Sequence, residues 1–276
     1  MQQPQTNNRS QEELIRVASI IFPAPPNKYD YSLLQAIQYA QIEQSNKVPF
    51  YLLQNEDKTI NNYILYFHGN GEDLQSSFYM MKSCVQQLKA HFILVEYPGY
   101  GVYNNTITTT EQIQMDALIV YDYVKQKYSV NDNQIYVFGR SIGTGPAIYI
   151  GAHRNCAGLI MFCAYTTLLK LVQQIIPKKA IYLQNENNLN NEENSQKLQC
   201  KCLFIQGRLD TLTPLQPIEL LYNNLPAHIK DKSYLQIQEQ MTHNFFSIQT
   251  DIIDQIIKFY PELKMNNPIS VNEGFN

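Results

Sequence analysis

The sequence has 276 residues, of which 44% are hydrophobic and 16% are charged, and its formal net charge is −3. This length and hydrophobic content suit one large domain with a sizeable core, and they leave too little chain for a second domain of ordinary size. The near-neutral charge gives no electrostatic basis for binding nucleic acid. No apolar run approaches the roughly 18 residues that cross a bilayer, so we predict no transmembrane segment.

The first thirteen residues, 1–13, are polar, and we interpret them as an arm outside the domain. They lack the apolar core of a signal peptide, and Gln2 stands where N-myristoylation needs a glycine. We therefore expect an intracellular protein, either cytoplasmic or peripheral at a membrane. The domain is predicted to span 14–262, and the polar residues 263–276 are predicted to form a loose tail.

The five cysteines are scattered and lie mostly in apolar segments, which is typical of reduced, buried thiols. Cys200 and Cys202 are too few to clamp a metal ion without other ligands nearby, and we predict neither a metal site nor a cofactor. The Asn-rich run 185–194 is typical of a disordered or solvated loop.

Strand and helix patterns alternate along most of the chain. The predicted strands are 14–22, 48–53, 63–67, 92–96, 135–138, 158–162, 203–206 and 234–237. The predicted helices are 78–88, 111–128, 146–153, 168–176, 217–224 and 251–260. Strands that are apolar throughout and alternate with helices pair in parallel through right-handed crossovers. We therefore predict an α/β fold, with a mostly parallel central sheet and helices on both faces.

The candidate site is organised around a Gly-x-Ser-x-Gly motif at 139–143. The apolar strand 135–138 precedes the motif, and an apolar segment long enough for a helix, 146–153, follows it. The motif alone is a weak signal, because glycine and serine are common in loops. Between a strand and a helix it is typical of a nucleophile elbow, a strained turn that holds the serine hydroxyl out at the edge of the sheet. We therefore predict that Ser141 is a nucleophile.

An acid and a histidine follow this serine in the order that acyl transfer needs. Asp210 follows a predicted strand 69 residues after Ser141, and His243 follows another one 33 residues later. An imidazole can activate the serine, and a carboxylate can orient the imidazole. In the alternative, Asp210 is only a turn or cap residue and His243 only a surface histidine. The competing histidines, none of which follows a strand late in the chain, are His91, His153 and His228. We predict a triad of Ser141, Asp210 and His243.

The turn 68–71, His-Gly-Asn-Gly, follows the strand 63–67 and is the predicted oxyanion site. Its glycines let the backbone approach a substrate closely, so the N–H of Asn70 is one predicted donor. The N–H of Ile142, directly after the serine, is the other. We interpret His68 as a structural histidine that braces the turn.

The strand–helix alternation pauses over 165–199, which we predict to be a short cap insertion above Ser141. Leu168 and Val172 belong to an apolar stripe at helical spacing within this insertion. We expect these two residues to bind substrate by forming a wall of an acyl pocket.

Taken together, these motifs resemble those of the α/β-hydrolase superfamily, over about residues 18–262. The matching segments are 22–26 (Phe-Pro-Ala-Pro-Pro), 67–70 (Phe-His-Gly-Asn), 97–101 (Tyr-Pro-Gly-Tyr-Gly), 139–143 and 243–244 (His-Asn). They are similar to those of the α/β-hydrolase-domain protein-depalmitoylating thioesterases and their serine-aminopeptidase-like relatives. The resemblance implies an α/β-hydrolase fold.

Two features of the sequence differ from that branch of the superfamily. Its members that act on lipidated membrane proteins carry an N-terminal cysteine cluster for their own palmitoylation, whereas residues 1–50 contain no cysteine. Glycines usually precede the histidine, whereas 240–242 read Gln-Met-Thr. The first difference argues against membrane targeting of that kind, and the second predicts a different placement of the loop that carries His243.

The leading functional hypothesis is a serine hydrolase of acyl esters or thioesters that forms an acyl-enzyme on Ser141. An acylated protein is one candidate substrate, through the resemblance to palmitoyl-protein thioesterases. The alternative is an α/β-hydrolase-fold subunit that serves a structural or binding role beside a protein partner in a larger assembly. A fluorophosphonate probe distinguishes the two hypotheses, because it reacts with an activated serine.

Overall fold

A single β-sheet forms the centre of the computed structural model, which describes residues 10–26, 29–183 and 189–266. Among these residues the strands are β1 Ile37–Ala40, β2 Val48–Leu53, β3 Tyr63–Phe67, β4 His91–Val95, β5 Ile135–Arg140, β6 Gly158–Phe162, β7 Cys202–Gly207 and β8 Tyr234–Gln238. They are ordered β1-β2-β4-β3-β5-β6-β7-β8 across the sheet. β2 is antiparallel to both of its neighbours, and the other pairs are parallel. The predicted mostly parallel sheet is confirmed.

The helices connect these strands and flank the sheet. In the described ranges the α-helices are α1 Gln11–Ile21, α2 Tyr31–Gln35, α3 Leu74–Gln87, α4 Thr110–Lys127, α5 Thr144–His153, α6 Leu168–Ile175, α7 Asn191–Ser195, α8 Leu215–Asn223, α9 Ala227–Lys230 and α10 Asp254–Phe259. A π-helical segment, Ile248–Ile253, leads into α10, and a long 3₁₀ segment, Pro177–Leu183, follows α6. No helix in the part of the chain that the structure describes has the length and apolarity to cross a membrane.

Two apolar clusters lie on opposite faces of the sheet. Leu65 of β3 belongs to the cluster that α4, α5 and α8 cover, and its neighbour Ile64 belongs to the cluster that α3 and α10 cover. Side chains alternate along a strand, so a strand covered on both faces must be apolar at every position. All five residues of β3 are accordingly buried. This confirms helices on both faces.

The prediction of a strand at 14–22 is wrong, because this segment is occupied by α1. Val17, Ala18 and Ile21 are buried, whereas Ile15 is half exposed. The buried positions recur at the three- and four-residue spacing of a helix, which the count of apolar residues alone had obscured. The sequence reading also missed β1, a four-residue strand that pairs antiparallel with β2.

The chain segments predicted to be loose are partly ordered. Asn191 lies in α7 and is fully buried, so the Asn-rich run is not a solvated loop there. Its amide donates to Thr144 Oγ1 and to the carbonyl of Tyr165. In the predicted tail, Leu263 is fully buried, and its carbonyl accepts from Lys89 N at 2.7 Å. Most of the predicted arm (1–9), residues 184–188 and 267–276 lie outside the described residues.

The predicted insertion, 165–199, lies between β6 and β7 and contains α6, the 3₁₀ segment after it and α7. Thr167 caps α6 by accepting a hydrogen bond from the N–H of Lys170 at 3.1 Å. Thr167 and Asn190 also form an isolated antiparallel bridge that closes the insertion at its base. The insertion is therefore anchored at the end of β6, on the edge of the sheet where Ser141 follows β5.

Candidate active site

Ser141 follows β5 directly and has a backbone φ of 52°, in the left-handed region that non-glycine residues rarely adopt. It begins a 3₁₀ turn, Ser141–Gly143, that runs into α5. A Cβ on Gly139 would overlap the backbone of Gly143, and a Cβ on Gly143 would overlap the carbonyl of Phe67. Glycine is therefore required at both positions. Strain of this kind is retained when the surrounding structure enforces it, and it is typical of functional sites.

Ser141, His243 and Asp210 form a continuous chain of hydrogen bonds. The Oγ of Ser141 lies 2.9 Å from Nε2 of His243, and Nδ1 of His243 lies 2.8 Å from Oδ2 of Asp210. All three residues are buried. They follow the parallel strands β5, β7 and β8, whose carboxyl ends meet at one edge of the sheet. In this arrangement an imidazole can accept the serine proton while a carboxylate holds the ring.

The carboxylate of Asp210 is held on both oxygens. Oδ1 accepts from the N–H groups of Leu212 and Thr213 at 2.9 and 2.8 Å, and Oδ2 accepts from Thr213 Oγ1 at 2.7 Å as well as facing His243. Burial opposes the negative charge, but the hydrogen bond and charge of His243 and the Thr213 donors outweigh it. The pKa of Asp210 therefore lies below its usual value. Asp210 is thus ionised at neutral pH.

The loop 68–72, here called the glycine loop, lies next to Ser141. Gly71 has a φ of 77°, and the side chain of Asn70 is committed, because Nδ2 donates to Ile21 O and Oδ1 accepts from Tyr100 OH. Asn70 and Ile142 both line the cavity that contains Ser141. The structure thus brings the two predicted oxyanion residues to the serine. The oxyanion role of their backbone N–H groups stays a prediction.

His68 is fully buried against Glu96, which is also fully buried. Its Nε2 lies 3.1 Å from Glu96 Oε1, and its Nδ1 lies 2.9 Å from the carbonyl of Gly69. Burial disfavours the protonated imidazole, but the hydrogen bond to Glu96 and the charge of Glu96 outweigh burial and raise the pKa of His68. Both ring nitrogens are thus engaged away from Ser141, which supports a bracing role.

We expect His68 to stabilise the fold most at mildly acidic pH. Its pKa is higher in the folded chain than in the unfolded chain, where histidine titrates near about 6.5. The proton-linked stabilisation is therefore complete below about pH 6.5 and is lost as the pH rises through the folded pKa. Urea unfolding of the wild type and of His68→Gln across this pH range measures the proton-linked stabilisation. The difference in unfolding free energy between the two proteins should shrink as the pH rises.

The comparison with His68→Gln cancels the contribution of the buried His91. Burial lowers the pKa of His91, which gives the opposite pH dependence, but His91 is present in both proteins. A difference that stays constant or grows as the pH rises would contradict the raised pKa of His68.

A cavity of about 300 Å³ opens beside Ser141 and His243. One wall is α6, from which Leu168, Val172 and Ile175 line the cavity. Leu168 and Val172 are only 3% and 6% exposed, so they contact the core as well. The stripe predicted as a pocket wall thus lies along the cavity of the predicted nucleophile.

Cys163 adds a third potential metal ligand beside Asp210 and His243, since one ligand atom from each lies within 4.8 Å of the others. Coordination by cysteine needs a thiolate, but burial and the charge of Asp210 raise the pKa of the Cys163 thiol. The nitrogen and oxygen atoms of His243 and Asp210 also hydrogen bond one another. The donor set suits a hydrogen-bonded triad better than a metal site.

The competing histidines lie elsewhere in the fold. His91 begins β4 and bonds Asn55 N and Ile60 O through its two ring nitrogens. His153 ends α5, with Nδ1 2.8 Å from the carbonyl of Tyr149, and His228 lies in the short α9. None of the three contacts Ser141 or Asp210 among the hydrogen bonds of the described residues.

Sequence reasoning missed residues that contact the predicted triad, among them Thr213 and Arg140. The Thr213 hydroxyl bonds Asp210 and lies 3.3 Å from Nδ1 of His243. Arg140 donates to the carbonyl of His243 at 3.1 Å. Two features of the sequence indicate these residues. Thr213 follows Asp210 by three residues, a spacing typical of a turn in which the Asp side chain accepts hydrogen bonds. Arg140 is a charged residue at the end of a mostly apolar strand.

Comparison with known proteins finds no protein-family model that matches the chain. A protein of Acanthamoeba polyphaga mimivirus, named for the α/β-hydrolase family, is 27% identical over 148 residues, which cover 46% of this chain and 56% of that protein. The lysophosphatidylserine lipase ABHD12 of Bos taurus is 28% identical over 185 residues, or 58% of this chain and 44% of the lipase. The chain thus spans about half the length of these curated relatives.

Among solved structures, the chain is similar to an esterase from Pyrococcus furiosus, with a TM-score of 0.63 and 14% sequence identity. The superposition covers 88% of this chain and 98% of the esterase. At this level of identity the likeness shows a shared fold alone. That fold spans nearly all of the esterase.

Proposed function

We propose that this chain, which belongs to the α/β-hydrolase superfamily and has its fold, is a serine hydrolase that cleaves acyl esters or thioesters. The observation that carries the proposal is the hydrogen-bond chain Ser141–His243–Asp210 on the wall of a largely apolar cavity. Packing alone requires neither these three side chains in contact nor a strained serine between two obligatory glycines.

In the proposed reaction, Ser141 Oγ attacks the acyl carbon while His243 Nε2 takes its proton. Asp210 stabilises the resulting imidazolium, and the N–H groups of Asn70 and Ile142 stabilise the oxyanion. His243 then gives the proton to the departing alcohol or thiol, which leaves an acyl-enzyme on Ser141. A water molecule deprotonated by His243 hydrolyses this ester and releases the acid.

The apolar wall of α6 favours an acyl chain over a peptide as the group held beside Ser141. The bovine relative is named as a lipase of lysophosphatidylserine, and that name denotes hydrolysis of a lipid ester. The resemblance to protein-depalmitoylating thioesterases adds the thioester, with an acylated protein as a candidate substrate. Esters and thioesters share the acyl-enzyme step and differ only in the leaving group, so we propose both.

The test is labelling by a fluorophosphonate probe, followed by hydrolysis of p-nitrophenyl esters of increasing chain length and of acyl thioesters with the same chains. We expect labelling and a rate that depends on chain length. A folded protein that neither labels nor hydrolyses any member of either series overturns the proposal. That outcome favours a structural or binding role for the same fold in a larger assembly.

Polar substitutions on α6 should distinguish an acyl pocket from ordinary core packing. For Leu168→Gln and Val172→Thr we expect kcat/KM to fall far more for long-chain than for short-chain esters. Each methylene contact that is lost costs about 0.8 kcal/mol, so a difference of about eight carbons in acyl-chain length makes the trend in kcat/KM easy to measure. The measurement is kcat/KM for acetate and longer esters, with thermal melting beside it.

Leu169 provides the matched control, because it lies on the same helix but outside the described lining of the cavity. Leu169→Gln should leave the chain-length preference unchanged. Equal losses for acetate and long-chain esters in the Leu168 and Val172 variants, with a lower melting temperature, would mean that the stripe only packs on the core.

A further inference from the structure

Arg140 ends β5, directly before Ser141, and its side chain is only 7% exposed. Apart from the hydroxyl of Tyr136, which donates to Glu262, the other side chains of this strand are apolar, and every residue of the strand is buried. A guanidinium is charged at any ordinary pH, and burying a charge without partners is costly. The partners of Arg140 lie on the two loops that flank Ser141.

On one side, Arg140 is connected with the glycine loop. Its Nη1 pairs with Oε1 of Glu72, and Oε2 of Glu72 accepts from the N–H of Gly69 at 2.9 Å. A Cβ on Gly69 would overlap Nη1 of Arg140, so the guanidinium in its present position packs directly against the backbone of this glycine. One carboxylate thus ties Arg140 to the residue that precedes Asn70.

On the other side, Arg140 holds the segment 242–246, here called the histidine loop. Its Nη2 donates to the carbonyl of His243 at 3.1 Å and to Oδ1 of Asn244 at 3.0 Å. The guanidinium carbon lies 5.5 Å from the ring centroid of Phe246, within the range of a cation–π contact. The bond to His243 is made to the backbone of the very residue whose imidazole faces Ser141.

We propose that Arg140, with Glu72, is a positioning residue that holds the oxyanion donor and the imidazole at a fixed separation from Ser141. The planar guanidinium directs donors to both loops at once, which a lysine cannot do. The inference rests on the proposed function, since it concerns the same reaction. A displacement of about 1 Å of a reacting group costs about 10² in rate, so loss of Arg140 should act on kcat.

The test uses the double variant Arg140→Met/Glu72→Leu, which removes both charges together. Replacing an ion pair with apolar residues of similar size is often neutral for stability, so this variant should melt close to the wild type. We expect kcat to fall about 100-fold with KM within a factor of about three. Arg140→Lys, which keeps the charge beside Glu72, should lose about tenfold and guards against a failure of the double variant to fold.

Hydrogen exchange supplies a readout that does not depend on activity. In the double variant the amides of 68–72 and 242–246 should exchange faster than in the wild type, while those of the central strands stay protected. Arg154→Met is the matched control, because Arg154 pairs with Asp122 through two nitrogens at the far end of α5. It should change neither kcat nor exchange in the two loops.

Wild-type kcat in a stable double variant overturns the inference, because it assigns the ion pair to stability alone. Unchanged exchange in both loops overturns it as well, whether or not the wild type hydrolyses esters. If the wild type has no activity but both loops exchange faster in the double variant than in the wild type, the positioning role is supported and the proposed function is rejected instead.

Discussion

Replacing Ser141 with alanine is expected to abolish ester hydrolysis and fluorophosphonate labelling while the fold is retained. Removal of the nucleophile from a complete triad lowers kcat by up to about 10⁶. Alanine keeps the Cβ, so the strained backbone at φ 52° meets the same steric environment. Only the hydroxyl that faces His243 Nε2 at 2.9 Å is lost. Steady-state kinetics, probe labelling and circular dichroism of the two proteins measure the change.

Ser83→Ala is the matched control for Ser141→Ala, since Ser83 is a partly buried serine on α3, on the other face of the sheet. It should retain both activity and labelling. Near-normal hydrolysis by Ser141→Ala would show that another group is the nucleophile. If Ser141→Ala loses both labelling and the folded state, the assignment is tested with His243→Ala instead. The activity loss of that variant should match the loss expected for Ser141→Ala, because triad members act as a unit.

The sheet could be predicted because its central strands carry a strong and redundant signal. A strand such as β3, buried on both faces, is apolar at every position, and its short length between polar segments favours a strand over a helix. The carboxyl ends of parallel strands share one edge, so the positions of Ser141, Asp210 and His243 after predicted strands indicate that they lie near one another. Those inferences need only local pattern and topology.

The elements that sequence reasoning missed depend on long-range contacts. The segment of α1 is predicted as a strand because its nine apolar-rich residues fit both the two-residue repeat of a strand and the 3.6-residue repeat of a helix. Only the buried face, which distant contacts define, distinguishes the two. β1 has only four residues and is defined by its pairing with β2. The role proposed for Arg140 depends on its contacts with Glu72 and His243, which are 68 and 103 positions away in the sequence. Local sequence around Arg140 gives no indication of either partner.

For Asp210→Asn we expect turnover to fall by about 10⁴, the size of loss seen when a triad carboxylate becomes an amide. The surroundings of Asp210 dictate how an asparagine would sit. Oδ1 accepts two backbone hydrogen bonds, from Leu212 and Thr213, so the amide oxygen must occupy that position. The NH₂ group then takes the place of Oδ2 and faces Nδ1 of His243.

That orientation explains why the loss should be large although the shape of the side chain is unchanged. With an NH₂ donor opposite, Nδ1 of His243 has to accept, and the ring proton moves to Nε2. Nε2 then cannot take the proton of Ser141, and the charged imidazolium loses its counter-charge. Asp254→Asn, an exposed carboxylate on α10, is the control and should leave kcat unchanged. If kcat of Asp210→Asn falls less than about tenfold while Asp254→Asn or Asp251→Asn falls further, Asp210 is not the partner of His243.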